Sequence, residues 1–305
     1  METIVNALTS EFEKLNGRFK TVSIEHVEEL KEEIIHWKQK GEIQEQFYKQ
    51  NYGLFEFEKP KMLPNAQFII IIAIPQGTTL LDWRLYGESH EVVLPPTYVY
   101  TGIRTSCMDI LSRVFHKAGY SFTQAVLPLK LLAVRSGLGT YGQNNLCYIG
   151  GMGSFHRLEA FYTDYVFPTD DWQGKELLER CMKCSLCAQA CPTQCITMKR
   201  FLIHAERCLT SYNENEGVFP EWIDPRSHNA LVGCMKCQQV CPENRAVIQL
   251  KERGVTFSEE ETSMILRETP EKRLPQALSS KLRRLNIDEY YSLLPRNLAV
   301  LMNKY

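Results

Sequence analysis

Cys181-Met-Lys-Cys184-Ser-Leu-Cys187-Ala-Gln-Ala-Cys191-Pro192 decides how this chain is read. In a Cys-x2-Cys-x2-Cys-x3-Cys-Pro run, three closely spaced thiolates hold one iron–sulfur cluster and the fourth, before proline, reaches a second. A second run, Cys234-Met-Lys-Cys237-Gln-Gln-Val-Cys241-Pro242, has the end of the same motif without its first cysteine. Cys208, in Glu206-Arg207-Cys208-Leu209, stands in for it across a loop of about 25 residues. Crossing the two motifs assigns Cys181, Cys184, Cys187 and Cys241 to one [4Fe–4S] cluster, and Cys191, Cys208, Cys234 and Cys237 to the other. Zinc competes for paired Cys-x-x-Cys units, but a zinc ribbon needs four ligands and has no use for two further cysteines before prolines. Disulfides need a secretory context, of which Met1-Glu-Thr-Ile-Val-Asn6 gives no sign.

The 305 residues suffice for one large core plus a small cluster module, or for two modest domains. With 44% hydrophobic and 23% charged residues, the composition is that of a soluble globular protein. A net charge of −1 lacks the footprint of a dedicated nucleic-acid binder. The longest apolar run, Phe68 to Ile74, is too short to span a bilayer, so the expectation is a cytoplasmic protein with no membrane partner. Eleven cysteines in a reducing compartment argue for metal ligation. Cys107, Cys147 and Cys195 fall outside the cluster motifs and read as small buried thiols.

Around the cysteines, the hydrophobic pattern alternates between helical and strand periods. Ile24, Val27, Leu30, Ile34 and Trp37 predict an amphipathic helix over Ser23 to Lys40, capped by Ser23. Phe68-Ile-Ile-Ile-Ile-Ala-Ile74 predicts a central strand buried on both faces. Met108, Leu111, Val114, Phe115 and Ala118 mark a second helix ending at Gly119. Gln124 to Leu127 reads as a strand, Leu129 to Arg135 as a short helix, and Phe155 to Phe167 as one or two strands. The fold class is α+β / α/β: an N-terminal α/β cofactor-binding domain over residues 1–170, a bacterial-ferredoxin-like two-cluster module over 171–245, and a short helical C-terminal hairpin over 246–305. Lys281, Arg283, Arg284 and Arg296 in the hairpin read as a solvated face. Only the cysteine motif repeats.

Ser136-Gly-Leu-Gly-Thr-Tyr-Gly-Gln-Asn-Asn145 matches Gly-x-Gly-x-x-Gly, but a helical segment precedes it where a dinucleotide fingerprint needs a strand. With Cys147 to Gly153 it reads as backbone free to approach a flat cofactor closely. The order Phe68-to-Pro75 strand, Ser136-to-Asn144 glycine loop, Gly153-Ser-Phe155, Tyr162-Thr-Asp164 and three cysteine segments resembles epoxyqueuosine reductase and, through it, the reductive dehalogenases. The resemblance spans about residues 65–245 and implies two [4Fe–4S] clusters and a base-off cobalamin. It would place Gly137, Leu138, Gly139, Tyr141, Gly142 and Asn144 along the corrinoid. It also implies a low-potential electron donor of ferredoxin or flavodoxin type and a small-molecule or nucleoside-like substrate, with tRNA the substrate of the true epoxyqueuosine reductases. An electron-transfer protein without corrinoid is the alternative. Where those enzymes carry an aspartate proton donor, this chain reads Phe122-Thr-Gln-Ala-Val-Leu-Pro128. Gln143 stands for their usual lysine, and Thr140-Tyr141 for Trp-Ile. Tyr98, Tyr100, Tyr141 and Asp164 are then the candidate acids.

Overall fold

The computed structural model describes residues 3–99 and 102–302. Its strands are β1 (Arg18–Ser23), β2 (Phe68–Pro75), β3 (Thr78–Leu85), β4 (Glu88–Leu94), β5 (Phe122–Gln124), β6 (Thr140–Tyr141), β7 (Cys147–Tyr148), β8 (His156–Thr163) and β9 (Lys251–Phe257). Its α-helices are α1 (Ile4–Glu13), α2 (Val27–Gln39), α3 (Glu45–Phe47), α4 (Ile103–Phe115), α5 (Leu129–Arg135) and α6 (Leu186–Ala190). They continue with α7 (Leu209–Glu214), α8 (Lys236–Gln239), α9 (Glu259–Leu266), α10 (Gln276–Arg284) and α11 (Leu294–Met302). None of these is long and apolar enough to cross a membrane. The chain divides into two units that interleave in sequence: Met1–Pro75, Gly102–Cys184 and Arg200–His204 form one, and Gln76–Thr101, Ser185–Lys199 and Ala205–Tyr305 the other.

The first unit is built on β2. Its strands run in the order β1-β2-β8-β5, and every pairing is antiparallel. Ile69, Ile71 and Ala73 pack with Leu30, Ile34 and Trp37 of α2 and with α5. Ile70, Ile72 and Ile74 pack with Leu8 and Phe12 of α1 and with Ile110, Leu111 and Phe115 of α4. The unbroken apolar run therefore records helices on both faces and says nothing of strand direction. Ser23 caps a 3-10 turn, Ile24–His26, that leads into α2. In α4 the buried face is shifted from the predicted stripe: Cys107 and Ile110 are buried, whereas Met108 is 42% exposed. β5 ends at Gln124, short of the strand predicted to Leu127, and the Phe155–Phe167 stretch supplies β8 alone.

At the start of β8, His156 is buried, and its Nδ1 has no hydrogen-bond partner among the described residues. Burial holds the imidazole down from 6.5 to about 4. In the unfolded chain it takes up a proton below its ordinary value, whereas the folded chain does not until about pH 4. Its neutral burial thus contributes stability that is complete above pH 6.5 and drains away as pH falls toward 4. Between pH 7 and pH 5 the wild type should lose about 2 kcal/mol more stability than His156→Gln. Anaerobic urea midpoints at the two pH values measure this, and equal losses in the two proteins would refute it.

The second unit has the sheet order β4-β3-β9, antiparallel between β3 and β4 and parallel between β3 and β9. Tyr86 and Gly87, both at positive φ (52° and 77°), make the two-residue hairpin turn between β3 and β4. β9 corrects the helical reading of residues 246–305. It is a charged edge strand of which only Val255 and Phe257 are buried, so it shows no helical stripe and little strand alternation. The predicted C-terminal helices are α10 and α11; α9 precedes them and starts in a capping box between Ser258 and Glu261. They bury Ile265, Leu278, Leu282 and Leu298 with Trp83 and Phe257.

Candidate metal centre

Seven of the eight-plus-one cysteines around the motifs are Cys187, Cys191, Cys195, Cys208, Cys234, Cys237 and Cys241 of the second unit; Cys181 and Cys184 close a segment of the first. Short helical turns present them: Cys187 lies in α6, Cys237 in α8, and Cys208 just before α7. Each such turn leaves backbone N–H groups free to point at a sulfur. Cys191 Sγ is in hydrogen-bond contact with the Cys195 thiol at 3.4 Å and the Thr193 hydroxyl at 3.6 Å. With the backbone N–H groups of residues 193 and 195, these hold Cys191 down at about 5. Cys208 is held below its ordinary value, first by the Cys195 thiol and then by the Thr210 backbone and hydroxyl. Asn229 Nδ2 donates to Cys234 Sγ at 3.3 Å, and its Oδ1 accepts from Met235 N at 2.7 Å. In the first unit, Gln143 N donates to Cys181 Sγ at 3.5 Å.

Sulfurs ringed by N–H, O–H and S–H donors are what thiolate ligands of an iron–sulfur cluster require, because the donors offset the charge that the clustered thiolates bring. Among the described residues no three Cys, His, Asp or Glu side chains converge on a single-ion position. A cubane asks instead for four sulfurs, each on its own iron. Cys107 and Cys147 stay apart from this network: both are buried in the first unit, and burial pushes each thiol up to about 12.

The glycine loop is spent on its own hairpin. Gly137, at φ 70°, ends α5, its N–H bonding Val134 O while Gly139 N bonds Ala133 O. A Cβ on Gly139 would lie 2.4 Å from Cys147 Sγ, and one on Gly142 2.5 Å from Tyr148 Cε2. Leu138, Tyr141 and Asn144 are buried, and Asn144 Nδ2 donates to the Tyr148 hydroxyl at 2.9 Å. Gln143 Nε2 and Asn145 Nδ2 tie the loop to Arg200 O (3.0 Å) and Phe201 O (2.7 Å). Of the six residues expected along a corrinoid, Gly137 is exposed and Gly139 half-buried, and at Gly137 the Gln173 side chain stands 2.9 Å from where its Cβ would be. These residues, as placed, do not fit a corrinoid face.

The candidate acids are scattered. Tyr98, in the second unit, donates its hydroxyl to Glu214, and burial followed by that carboxylate pushes it well above its ordinary value. In the first unit, Tyr141 meets Phe201 edge-on and is likewise raised by burial. Asp164 accepts from Ser121 N at 2.8 Å at the end of β8. Tyr100 lies outside the described residues. Gln124, in the stretch where the resemblance implies an aspartate, is an exposed residue of the edge strand β5.

Residues 180–244 match the family model of a 4Fe-4S double cluster binding domain. Epoxyqueuosine reductase of Staphylococcus aureus is 31% identical over 122 residues, which cover 40% of this chain and 31% of that one. The enzyme of Escherichia coli is 36% identical over 115 residues, 37% of this chain and 29% of that one. The chain thus spans about a third of the length of these curated relatives. The structure of epoxyqueuosine reductase from Streptococcus thermophilus superposes with a TM-score of 0.70 and 18% identity, covering 99% of this chain and 81% of that one. The chain has the epoxyqueuosine reductase fold.

Within the epoxyqueuosine reductase fold, the residues that sequence reasoning missed are the supporting ones. Asn229 carries no motif, and its service to Cys234 appears only once residues 229–235 fold back on themselves. The donor at Cys181 is the backbone of Gln143, which has no sequence signature at all. Cys195, four residues after Cys191, is the small buried thiol expected of it, and the structure adds its contact with Cys191.

Proposed function

We propose that this chain is a two-cluster iron–sulfur reductase of the epoxyqueuosine reductase kind. The observation that carries the reading is the donor network on Cys181, Cys191, Cys208 and Cys234, in a chain with that fold. The ligand sets are those of the spacing: Cys181, Cys184, Cys187 and Cys241 for one cluster, and Cys191, Cys208, Cys234 and Cys237 for the other. A low-potential donor of ferredoxin or flavodoxin type supplies single electrons, and the clusters relay them. Cobalamin, when bound, supplies a strongly reducing low-valent cobalt. No step here runs through it, because Gly139 and Gly142 are filled by Cys147 and Tyr148. Anaerobically purified protein should carry about eight irons per chain. Its absorption spectrum with and without added cobalamin tests the corrinoid, and an iron content of four or fewer would end the two-cluster reading.

A nucleoside in tRNA is the second reading of the substrate, favoured by a solved complex of epoxyqueuosine reductase with an epoxyqueuosine-modified tRNA stem loop, which superposes at a TM-score of 0.65 and 17% identity. Reductive loss of an epoxide oxygen as water takes two electrons and two protons, so a one-electron relay turns over twice per product. Arg283 and Arg284 are exposed, whereas Lys281 is bound to Glu261 and Arg296 to backbone carbonyls of Tyr212 and Asn215. Incubation with epoxyqueuosine-containing tRNA and mass spectrometry for queuosine decides this reading; no queuosine from cluster-replete protein with a working donor would reject it.

A further inference from the structure

Cys195 lies 3.4 Å, sulfur to sulfur, from Cys191, with the Cys208 thiol close by. It is 1% exposed, and all three cysteines belong to the second unit. The chain between Cys191 and Cys195 is a tight turn: Gln194 N bonds Cys191 O at 3.2 Å, and Gln194 takes a positive φ of 52°. That turn brings the Cys195 side chain back beside Cys191. Two ligands of one cubane sit on different irons, both are thiolates, and their charges repel. At 3.4 Å the two sulfurs are within hydrogen-bond reach, and with Cys191 a cluster thiolate the proton of this contact belongs to Cys195. A single S–H therefore stands against two sulfurs assigned to the same cluster.

We infer that Cys195 is a non-ligating thiol that donates to the thiolates of Cys191 and Cys208 and thereby raises the reduction potential of the cluster those two hold. The inference rests on the two-cluster reading. Reduction adds an electron to the cluster and increases the charge on its thiolate sulfurs. A donor on those sulfurs stabilises the reduced form more than the oxidised one, so the potential rises. Removing the donor lowers it. Cys195 is a positioning residue by this account: it touches the ligands and leaves the irons alone.

The experiment compares the full chain as wild type, Cys195→Ala, Cys195→Ser and Cys107→Ala, each reconstituted anaerobically, by iron content and by electron paramagnetic resonance at poised potentials. All four should hold about eight irons per chain. In Cys195→Ala one cluster should become harder to reduce by about tenfold in its equilibrium constant, ~59 mV for one electron, while the other stays put. Cys195→Ser keeps a hydroxyl donor and should return toward the wild type. Cys107→Ala, which removes a buried thiol of the first unit, should move neither cluster. Unchanged potentials in Cys195→Ala, or a serine variant displaced as far as the alanine one, would overturn the inference. Loss of about four irons in Cys195→Ala would make Cys195 a ligand and overturn it differently. Fewer than about eight irons in the wild type strikes the two-cluster reading itself.

Discussion

Cys208→Ala is expected to lower the iron of anaerobically reconstituted protein from about eight to about four atoms per chain, with one of two cluster signals lost. Cys208 is the ligand the sequence places least directly, since it stands alone in the loop between the two motifs. The structure gives it the surroundings of a ligand: the backbone and hydroxyl of Thr210 and the thiol of Cys195 all converge on its sulfur. Alanine removes one of four thiolates, and a cubane with a bare iron corner falls apart once the excess iron and sulfide of reconstitution are removed. The partner cluster, held by Cys181, Cys184, Cys187 and Cys241, keeps its signal. Full iron content in Cys208→Ala, measured with colorimetric iron and labile sulfide, would take Cys208 out of the ligand set.

The second large effect lies in the core of the second unit. Trp83 of β3 is fully buried, and its ring stacks on Phe257 of β9 with centroids 3.7 Å apart and planes 6° from parallel. β9 is an edge strand with five of its seven residues exposed, so this stack is a main apolar hold on it. Trp83→Ala should cost about 3–5 kcal/mol, the lost transfer energy plus the cavity. Trp83→Phe should cost much less, because it keeps a ring on Phe257 and removes an indole N–H that has no partner among the described residues. Urea unfolding followed by circular dichroism reads both. An alanine variant within about 1 kcal/mol of the wild type would mean that β9 is held by its backbone ladder and not by this stack.

The cluster chemistry was legible because it is written in contiguous spacing. Cys-x2-Cys-x2-Cys can bring three thiolates to one metal group with no help from distant chain, and a short helical turn is all the local structure it needs. β2 and the helix leading from Ser23 were legible for a similar reason, since their apolar periods reflect immediate surroundings. The strand β9 was not, because an edge strand that is mostly solvated carries charges and shows neither period. The hairpin of β3 and β4 did have a signal, Leu80-Leu81 and Trp83 around the Tyr86-Gly87 turn, but its worth depended on a partner strand more than 150 residues away.

The glycine loop carries an ambiguity that sequence leaves open. Gly139 and Gly142 look like a bed for something large, and the structure fills that space with Cys147 and Tyr148 of the adjoining strand. A missing Cβ announces that something approaches closely; it does not say whether that is a cofactor or the chain itself.

By itself, then, the amino-acid order determined which thiols can act together, because ligand spacing along a short stretch is a local property. Tertiary structure alone decided that Cys195 stands against Cys191, that Asn229 serves Cys234, and that the sheet around β2 is antiparallel. Those depend on which distant segments meet, and hydrophobic pattern is blind to strand direction and to the reach of a single polar side chain.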